Sequence, residues 1–303
     1  MTLLQGKRSP VVAGLFYPAK ADELNESIHS SFKSDFGPGT FPSRNITRSS
    51  SEPRHKKPAE CLVVPHAGYI YSGPFAAYSY LKAFEYLVSS DSNSVTAIIL
   101  GPNHYGIGSG VSLSECQFWT TPLGDVRVDE EVSFEISKRS EIVDYDQLAH
   151  SREHSIEVQV PFLQVVCSIA EKDLAIVPIC LMLQDRETAE QISKSLLSVI
   201  RERKPGSTLV LGSSDLTHYE PQIQASSKDT KLLATVSNMN ILDFYNVLER
   251  LNVTACGYGA IASTMYAAIG LGCRRGDVLK YGSSADCTGD KSSVVGYSSV
   301  EFN

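Results

Sequence analysis

Three apolar runs in this 303-residue chain end on side chains that can do chemistry. Leu62-Val63-Val64-Pro65 leads into His66, and Ala97-Ile98-Ile99-Leu100-Gly101-Pro102 leads into Asn103 and His104. Thr208-Leu209-Val210-Leu211-Gly212 leads through Ser213 and Ser214 to Asp215, with His218 just beyond. Ligands of open α/β sheets bind outside the carboxyl ends of the strands, so three such tails in neighbouring strands share one crevice. Three of only seven histidines sit on them. Imidazole is the commonest protein ligand for Zn, Cu, Fe and Ni. Two histidines with one anionic ligand leave coordination positions open for substrate and dioxygen. Asp215 or a cysteine thiolate would complete that set, and a remaining histidine beside the metal would act as general base.

Other patterns compete for these residues. His150-Ser151-Arg152-Glu153-His154 matches the H-x-x-E-H of inverted zinc peptidases, which needs both histidines on one helical face. No regular helix clearly precedes it. Gly257-x-Gly259-x-x-Ala262 imitates a dinucleotide fingerprint and opens a helix-like stretch, but no convincing strand precedes it. Ser213 and Ser214 near His218 suggest a hydrolase, yet the chain has no G-x-S-x-G elbow.

The positioning elements follow from patterning. Residues 61–65, 95–101, 174–181 and 207–212 are short continuous apolar runs, suited to strands covered on both faces of a mainly parallel sheet. Helix-like stretches separate them at 74–88, 155–170 and 185–203, the second able to begin only near Pro161. Residues 243–251 and 259–272 read as helices, and 277–283 and 292–302 as closing strands. This alternation predicts one α/β domain over 1–303, a central mostly parallel or mixed sheet sandwiched by helices. Residues 35–59, rich in Pro, Gly, Ser and basic side chains, read as a long surface loop or disordered insert.

Composition narrows the function classes. The chain is 42% hydrophobic and 20% charged, enough to bury a sizeable core. Its 27 basic against 34 acidic residues, a net charge of −7, argue against a nucleic-acid partner. No apolar run approaches the ~20 residues of a membrane span. The start carries no usable signal peptide, so the expected location is cytoplasmic. The seven cysteines include no C-x-x-C pair, which makes most of them reduced core residues.

Read in order, PHAGYIYSG, LGPNH, EHSIEVQVPFL, SSDLTHY and ACG, with AGLFYP near the start, resemble the Memo family, named for a mediator of ErbB2-driven cell motility. The resemblance implies a fold similar to class III extradiol dioxygenases, whose Fe(II) is held by two histidines and one glutamate. It implies His66, His104 and the thiolate of Cys256 as metal ligands, with His218 in the place of the dioxygenase base and Asp215 lining the same pocket. It puts Glu153 and His154 at the pocket rim in a supporting role. A thiolate in place of a carboxylate moves the site toward Fe(II) or Cu, with Zn as a further option. The expected function is that of a metal-binding protein with redox or dioxygenase-like oxidoreductase chemistry on a small-molecule substrate. The alternatives are a non-catalytic module gripping a peptide or protein partner, as the mammalian form is described to grip phosphotyrosine peptides, and, last, a zinc peptidase.

Overall fold

A strand that is apolar at every position must be covered on both sides, and the arrangement of this chain follows from that demand. The computed structural model describes residues 4–44 and 57–303. Its strands are β1 (Lys7–Arg8), β2 (Glu60–Val64), β3 (Ser94–Pro102), β4 (Val111–Leu113), β5 (Phe118–Thr121), β6 (Gly124–Val128), β7 (Asp144–Tyr145), β8 (Asp173–Leu181), β9 (Thr208–Ser213), β10 (His218–Glu220), β11 (Gly276–Ser283) and β12 (Val294–Phe302). The helices are α1 (Ala21–Lys33), α2 (Tyr69–Ser89), α3 (Glu130–Lys138), α4 (Gln147–His150), α5 (Val160–Ala170), α6 (Arg186–Ile200), α7 (Gln222–Ser237), α8 (Ile241–Leu251), α9 (Tyr258–Gly270) and α10 (Ser284–Thr288).

The strands form one mixed sheet whose main path runs β1-β5-β6-β8-β3-β9-β2-β12-β10. Its centre, β8-β3-β9-β2, is parallel throughout. The C-terminal strands β11 and β12 close it antiparallel, with β12 against β2. Alternate residues feed two cores. Leu62, Val64, Ala97, Ile99, Leu209 and Leu211 share one with Leu24 and Phe32 of α1, Tyr80 of α2 and Phe162 of α5. Cys61, Val63, Ile98, Leu100 and Val210 share the other with Ile192 of α6, Phe244 of α8 and Ile261 of α9. This is the α/β sandwich with helices on both faces that the alternation of runs predicts.

Several boundaries differ from the sequence reading. Helix α2 begins at Tyr69, one residue after Gly68, and takes Pro74 into its interior. The helix-like stretch 74–88 begins at that proline, but its missing N–H costs only one hydrogen bond, which the burial of thirteen of the helix's 21 residues outweighs. Pro161 sits in the first turn of α5, as expected, behind a single 3-10 turn at Glu157–Gln159. Helix α1 has no counterpart in the sequence reading. Its buried residues Leu24, Ile28 and Phe32 recur every four positions in a mostly polar stretch.

Of the 35–59 insert, residues 45–56 lie outside the described residues. Residues 35–44 form no helix or strand but are packed: Phe36 stacks on Phe75 at 6.5 Å between ring centres, and Phe41 meets Phe32 edge-on at 5.4 Å. Among the described residues, no helix is long and apolar enough to cross a membrane.

Candidate functional site

The strand order β3-β9-β2 makes the three chemical tails neighbours, and parallel pairing brings them out on the same side of the sheet. His66, after β2, is buried and held at three points. Its backbone N–H donates to Asp215 Oδ1 at 2.8 Å, its Nδ1 lies 2.9 Å from Ser213 Oγ, and its Nε2 lies 3.0 Å from Cys256 Sγ. Ser213 decides the tautomer. Its hydroxyl donates its one proton to the Ser155 carbonyl at 2.7 Å and accepts from Gln159 Nε2 at 2.8 Å. Toward His66 it therefore accepts, the imidazole proton sits on Nδ1, and Nε2 presents a bare lone pair.

His104, after β3, reaches the same state by a stronger device. Glu153, buried to 1% exposure, accepts from the His104 N–H at 2.6 Å and from its Nδ1 at 2.8 Å. Glu153 Oε1 also accepts the backbone N–H groups of His154 and Ser155, each at 2.8 Å. Burial alone would raise this carboxyl, but the His104 hydrogen bond and the nearby imidazoles and N–H groups hold it down to about 2. A carboxylate that accepts from Nδ1 selects the tautomer of the neutral ring whose lone pair is on Nε2 and is the usual outer partner of a metal-binding histidine.

His154 completes a cluster. Its ring stacks on His104 at 4.6 Å and meets His66 edge-on at 5.6 Å. One ligand nitrogen from each of His66, His104 and His154 lies within 4.8 Å of the others, the sole such group of three or more His, Cys, Asp or Glu among the described residues. The donor set fits a transition metal ion: imidazoles close enough to share one ion, two with their protons pinned on the outer nitrogen. Burial, then the neighbouring histidines, keep His66 well below its ordinary value. Burial lowers His154 to about 4. Neutral imidazole is the state that binds metal.

Cys256 stands outside that set of three but touches His66 from the start of α9. It is pinned on both sides: Gln184 Nε2 donates to the Cys256 carbonyl at 2.9 Å, and Gly257 N–H donates to Ser214 Oγ at 2.9 Å. Burial and the nearby Asp215 push its thiol up, while Asp215 N–H donates to Sγ at 3.3 Å. Asp215 itself is raised to about 6, chiefly by burial. His218, on β10, has Nδ1 facing two carbonyls, Leu216 O at 2.7 Å and Thr254 O at 3.0 Å. It must donate there, so its Nε2 is free to accept a proton. All five residues of the sequence reading, His66, His104, Asp215, His218 and Cys256, line one cavity of about 800 Å³ together with His154.

The competing patterns resolve into structure. His150 ends the short helix α4, fully buried, with Nε2 3.0 Å from Ser112 O and its ring edge-on to Trp119 at 5.6 Å. The chain leaves helix at Ser151, so His150 and His154 share no helical face and the peptidase geometry does not form. The amides of Gly257 and Gly259 are taken by Ser214 Oγ and Gln184 Oε1. Gly257 is needed because a Cβ there would collide with Ser213 and Ser214, not to admit a pyrophosphate. His154, which the resemblance puts at the pocket rim in a supporting role, lies among the three clustered nitrogens. The available signal was its adjacency to Glu153 in EHSIEVQVPFL; its convergence on His66 and His104 is tertiary.

The chain before α1 is clasped to this site. Arg8 donates to the carbonyls of His150 and Glu153 at 2.8 and 2.6 Å and to Glu157 Oε2 at 2.7 Å. Glu157 also accepts from the N–H groups of Val11 and Val12 and from Tyr17 Oη at 2.7 Å. The turn between these anchors presents Leu15 and Phe16 to the cavity, and Phe16 meets His154 edge-on at 4.6 Å.

Neutral buried histidines make stability depend on pH. Burial, reinforced by Arg8, lowers His150 to about 3. Between about 6.5 and that value the unfolded chain takes up a proton that the folded chain refuses. Stability is therefore full above pH ~6.5 and falls on acidification by about 1.4 kcal/mol per pH unit for each such histidine. Asp215, raised to about 6, works in the opposite direction between its unfolded value and 6 and offsets about one histidine there. His150→Gln, which keeps a donor for Ser112 O, is expected to flatten the fall of Tm between pH 6.5 and 4. A Tm profile parallel to that of the parent chain would refute this assignment of His150.

Comparison with known proteins is consistent across the chain. A family profile described as Memo-like protein matches residues 8–301. A MEMO1 family protein of Methanocaldococcus jannaschii is 42% identical over 293 residues, covering 97% of this chain and 98% of its own. MEMO1 family proteins of Nitrosopumilus maritimus and Sulfolobus acidocaldarius are 42% and 43% identical, each covering 97% of this chain and 99% of its own.

Proposed function

This chain belongs to the Memo-like family, and from that premise we propose that it is a metal-binding protein whose centre takes Fe(II) or Cu and serves oxidoreductase chemistry on a small molecule in the cavity. The observation that supports it best is the convergence of His66, His104 and His154 nitrogens within 4.8 Å of one another. His66 and His104 would hold the ion, with Cys256 as the thiolate donor already 3.0 Å from His66 Nε2. His154 would be the further nitrogen donor. A first-row ion bound there supplies Lewis acidity and one-electron redox chemistry.

The protein's own groups have separable tasks. Ser213 and Glu153 fix the proton of His66 and His104 on Nδ1, so both lone pairs face inward. Asp215 Oδ1 anchors the His66 backbone at 2.8 Å. His218 Nε2 accepts a proton from a substrate hydroxyl, its ring held by the Leu216 and Thr254 carbonyls. Leu15 and Phe16 line the cavity from the turn between Val12 and Tyr17, with Phe16 edge-on to His154 at 4.6 Å.

The test is elemental analysis of anaerobically purified protein, with reconstitution by Fe(II), Cu(I) and Zn(II). About one ion per chain is expected in the parent chain, with tight binding lost in His66→Ala and in Cys256→Ala while the fold is kept. Unchanged metal content in both variants would overturn the assignment. Absence of metal from the reconstituted parent chain would leave the cavity as a non-catalytic binding pocket.

A further inference from the structure

The cavity has a chemical polarity that the metal reading does not use. Among the described residues that line it there is no lysine or arginine, while Asp215 lies at its base and Asp290 at its open end. Lys291 follows Asp290 in the chain but does not line the cavity. Asp290 is held in place: its Oδ1 accepts from the Ser292 N–H at 2.8 Å and the Ser292 hydroxyl at 2.7 Å, and neither bond uses Oδ2. The walls between base and mouth carry the rings of Phe16, Tyr71, Tyr219 and Tyr297.

One of those rings is held at a cost. Tyr219 has φ +59°, a left-handed conformation that bulky L-residues avoid, and its side chain is nonetheless 78% exposed. The pairing of β10 with β12 slips between His218 and Glu220, so Tyr219 sits on an irregularity of the strand. The neighbours enforce it: His218 N–H donates to Thr254 Oγ1 at 2.8 Å, and Glu220 is paired with Lys228 at 2.5 Å. Leu15, which lines the same cavity, projects from the turn at Gly14 (φ +83°) and is 80% exposed. Two large apolar side chains presented to solvent on restrained backbones, facing one cavity, mark the place where a ligand's body is gripped.

We propose that the cavity recognises a cationic ligand, an arylalkyl or alkyl ammonium, with its apolar body held between Leu15 and Tyr219 and its ammonium beside Asp290, and that Tyr219 determines this specificity. Aromatic faces and a carboxylate both favour an ammonium, and with no lysine or arginine among the described lining residues, nothing beside Asp290 pairs with a carboxylate or phosphate there. The proposal deepens the reading above by naming the class of molecule that occupies the cavity, and it rests on that reading only for the location of the site.

The test uses three probes matched in length and body: 3-phenylpropylamine, 3-phenylpropanol and 3-phenylpropionate, titrated by NMR into the full chain. The amine is expected to bind tightest and the carboxylate weakest, with a spread of about tenfold, the scale of a single exposed charge or cation–π contact. Asp290→Asn should bring the amine down to the alcohol. Tyr219→Gly, which takes the positive φ without strain, should weaken all three by about tenfold while Tm stays the same or rises. A carboxylate that binds as well as the amine overturns the proposal, as does an unchanged ranking in Asp290→Asn or unchanged affinities in Tyr219→Gly. The series is repeated on His104→Ala with metal content measured on the same samples, and the ranking should be present in both; a ranking in one alone also overturns it. Ranking without metal in any sample sinks the metal reading and leaves this one standing, and metal without the ranking does the reverse.

Discussion

Replacing Glu157 with alanine is expected to cost this chain about 3–5 kcal/mol, the scale for breaking a buried ion pair by removing one partner. Arg8 and Glu157 are paired at 2.7 Å with side chains 3% and 1% exposed. The carboxylate is also the acceptor for two backbone N–H groups and the Tyr17 hydroxyl, none of which would find another partner within the fold. At roughly 2–4 °C of Tm per kcal/mol for a large domain, the fall is about 10 °C, readable by calorimetry. Arg8→Met should cost less, because Glu157 keeps its three other donors. The double variant Arg8→Met with Glu157→Gln should cost less than Glu157→Ala alone, since it leaves no unpaired charge. Equal losses for Arg8→Met and Glu157→Ala would show that the salt bridge, and not the anchoring of Val11, Val12 and Tyr17, carries the energy. The same loss should loosen the turn that brings Leu15 and Phe16 to the cavity.

The second large effect falls on metal affinity without touching a metal donor. Glu153→Gln keeps the shape of the side chain but replaces one carboxylate oxygen with an amide nitrogen. The carboxylate of Glu153 receives four hydrogen bonds, from His104 N–H, His104 Nδ1, His154 N–H and Ser155 N–H. An amide can serve only those that meet its oxygen, and its NH₂ confronts the rest. With its oxygen at the Oε1 place the amide still accepts from His104 Nδ1, His154 N–H and Ser155 N–H, so its NH₂ confronts His104 N–H, and the partner on Nδ1 loses its charge, which weakens its hold on that proton and makes Nε2 a poorer donor to a metal. Outer-shell losses of this kind typically weaken metal binding 10–100-fold. Calorimetric titration with Zn(II) or anaerobic Fe(II) measures it, with near-native circular dichroism as the control for fold. Metal affinity unchanged in Glu153→Gln would mean that His104 is oriented by its own backbone and stacking on His154, and that the carboxylate is structural.

Much of this molecule was legible from local pattern. Runs such as Ala97-Ile98-Ile99-Leu100 are apolar at every position, and only a strand covered on both faces can bury all of them; the structure divides them alternately between two cores. The placement of His66, His104 and Asp215 just past such runs followed from the same pattern, because parallel strands deliver their carboxyl ends to one edge. Helix α1 escaped because its apolar stripe is three residues long in a polar stretch, and the start of α2 was misplaced because Pro74 is tolerated inside a helix whose burial outweighs one lost bond.

Other features depend on contacts between residues far apart in the chain. Strand order decides that β2, β3 and β9 are neighbours, and strand order is set by how helices pack across the sheet, not by any one strand's residues. His154 joins His66 and His104 only because Glu153 folds back to accept the His104 amide, a contact across 49 positions that no spacing announces. The proton on each imidazole is likewise assigned from elsewhere: Ser213 and Ser155 for His66, Glu153 for His104, the Leu216 and Thr254 carbonyls for His218. Residue types and their positions after strands determined that metal chemistry was available to this chain. Which nitrogens face the centre, and which rings wall it, was decided by tertiary structure, because tautomer and orientation are properties of the hydrogen-bond partners and not of the histidine itself.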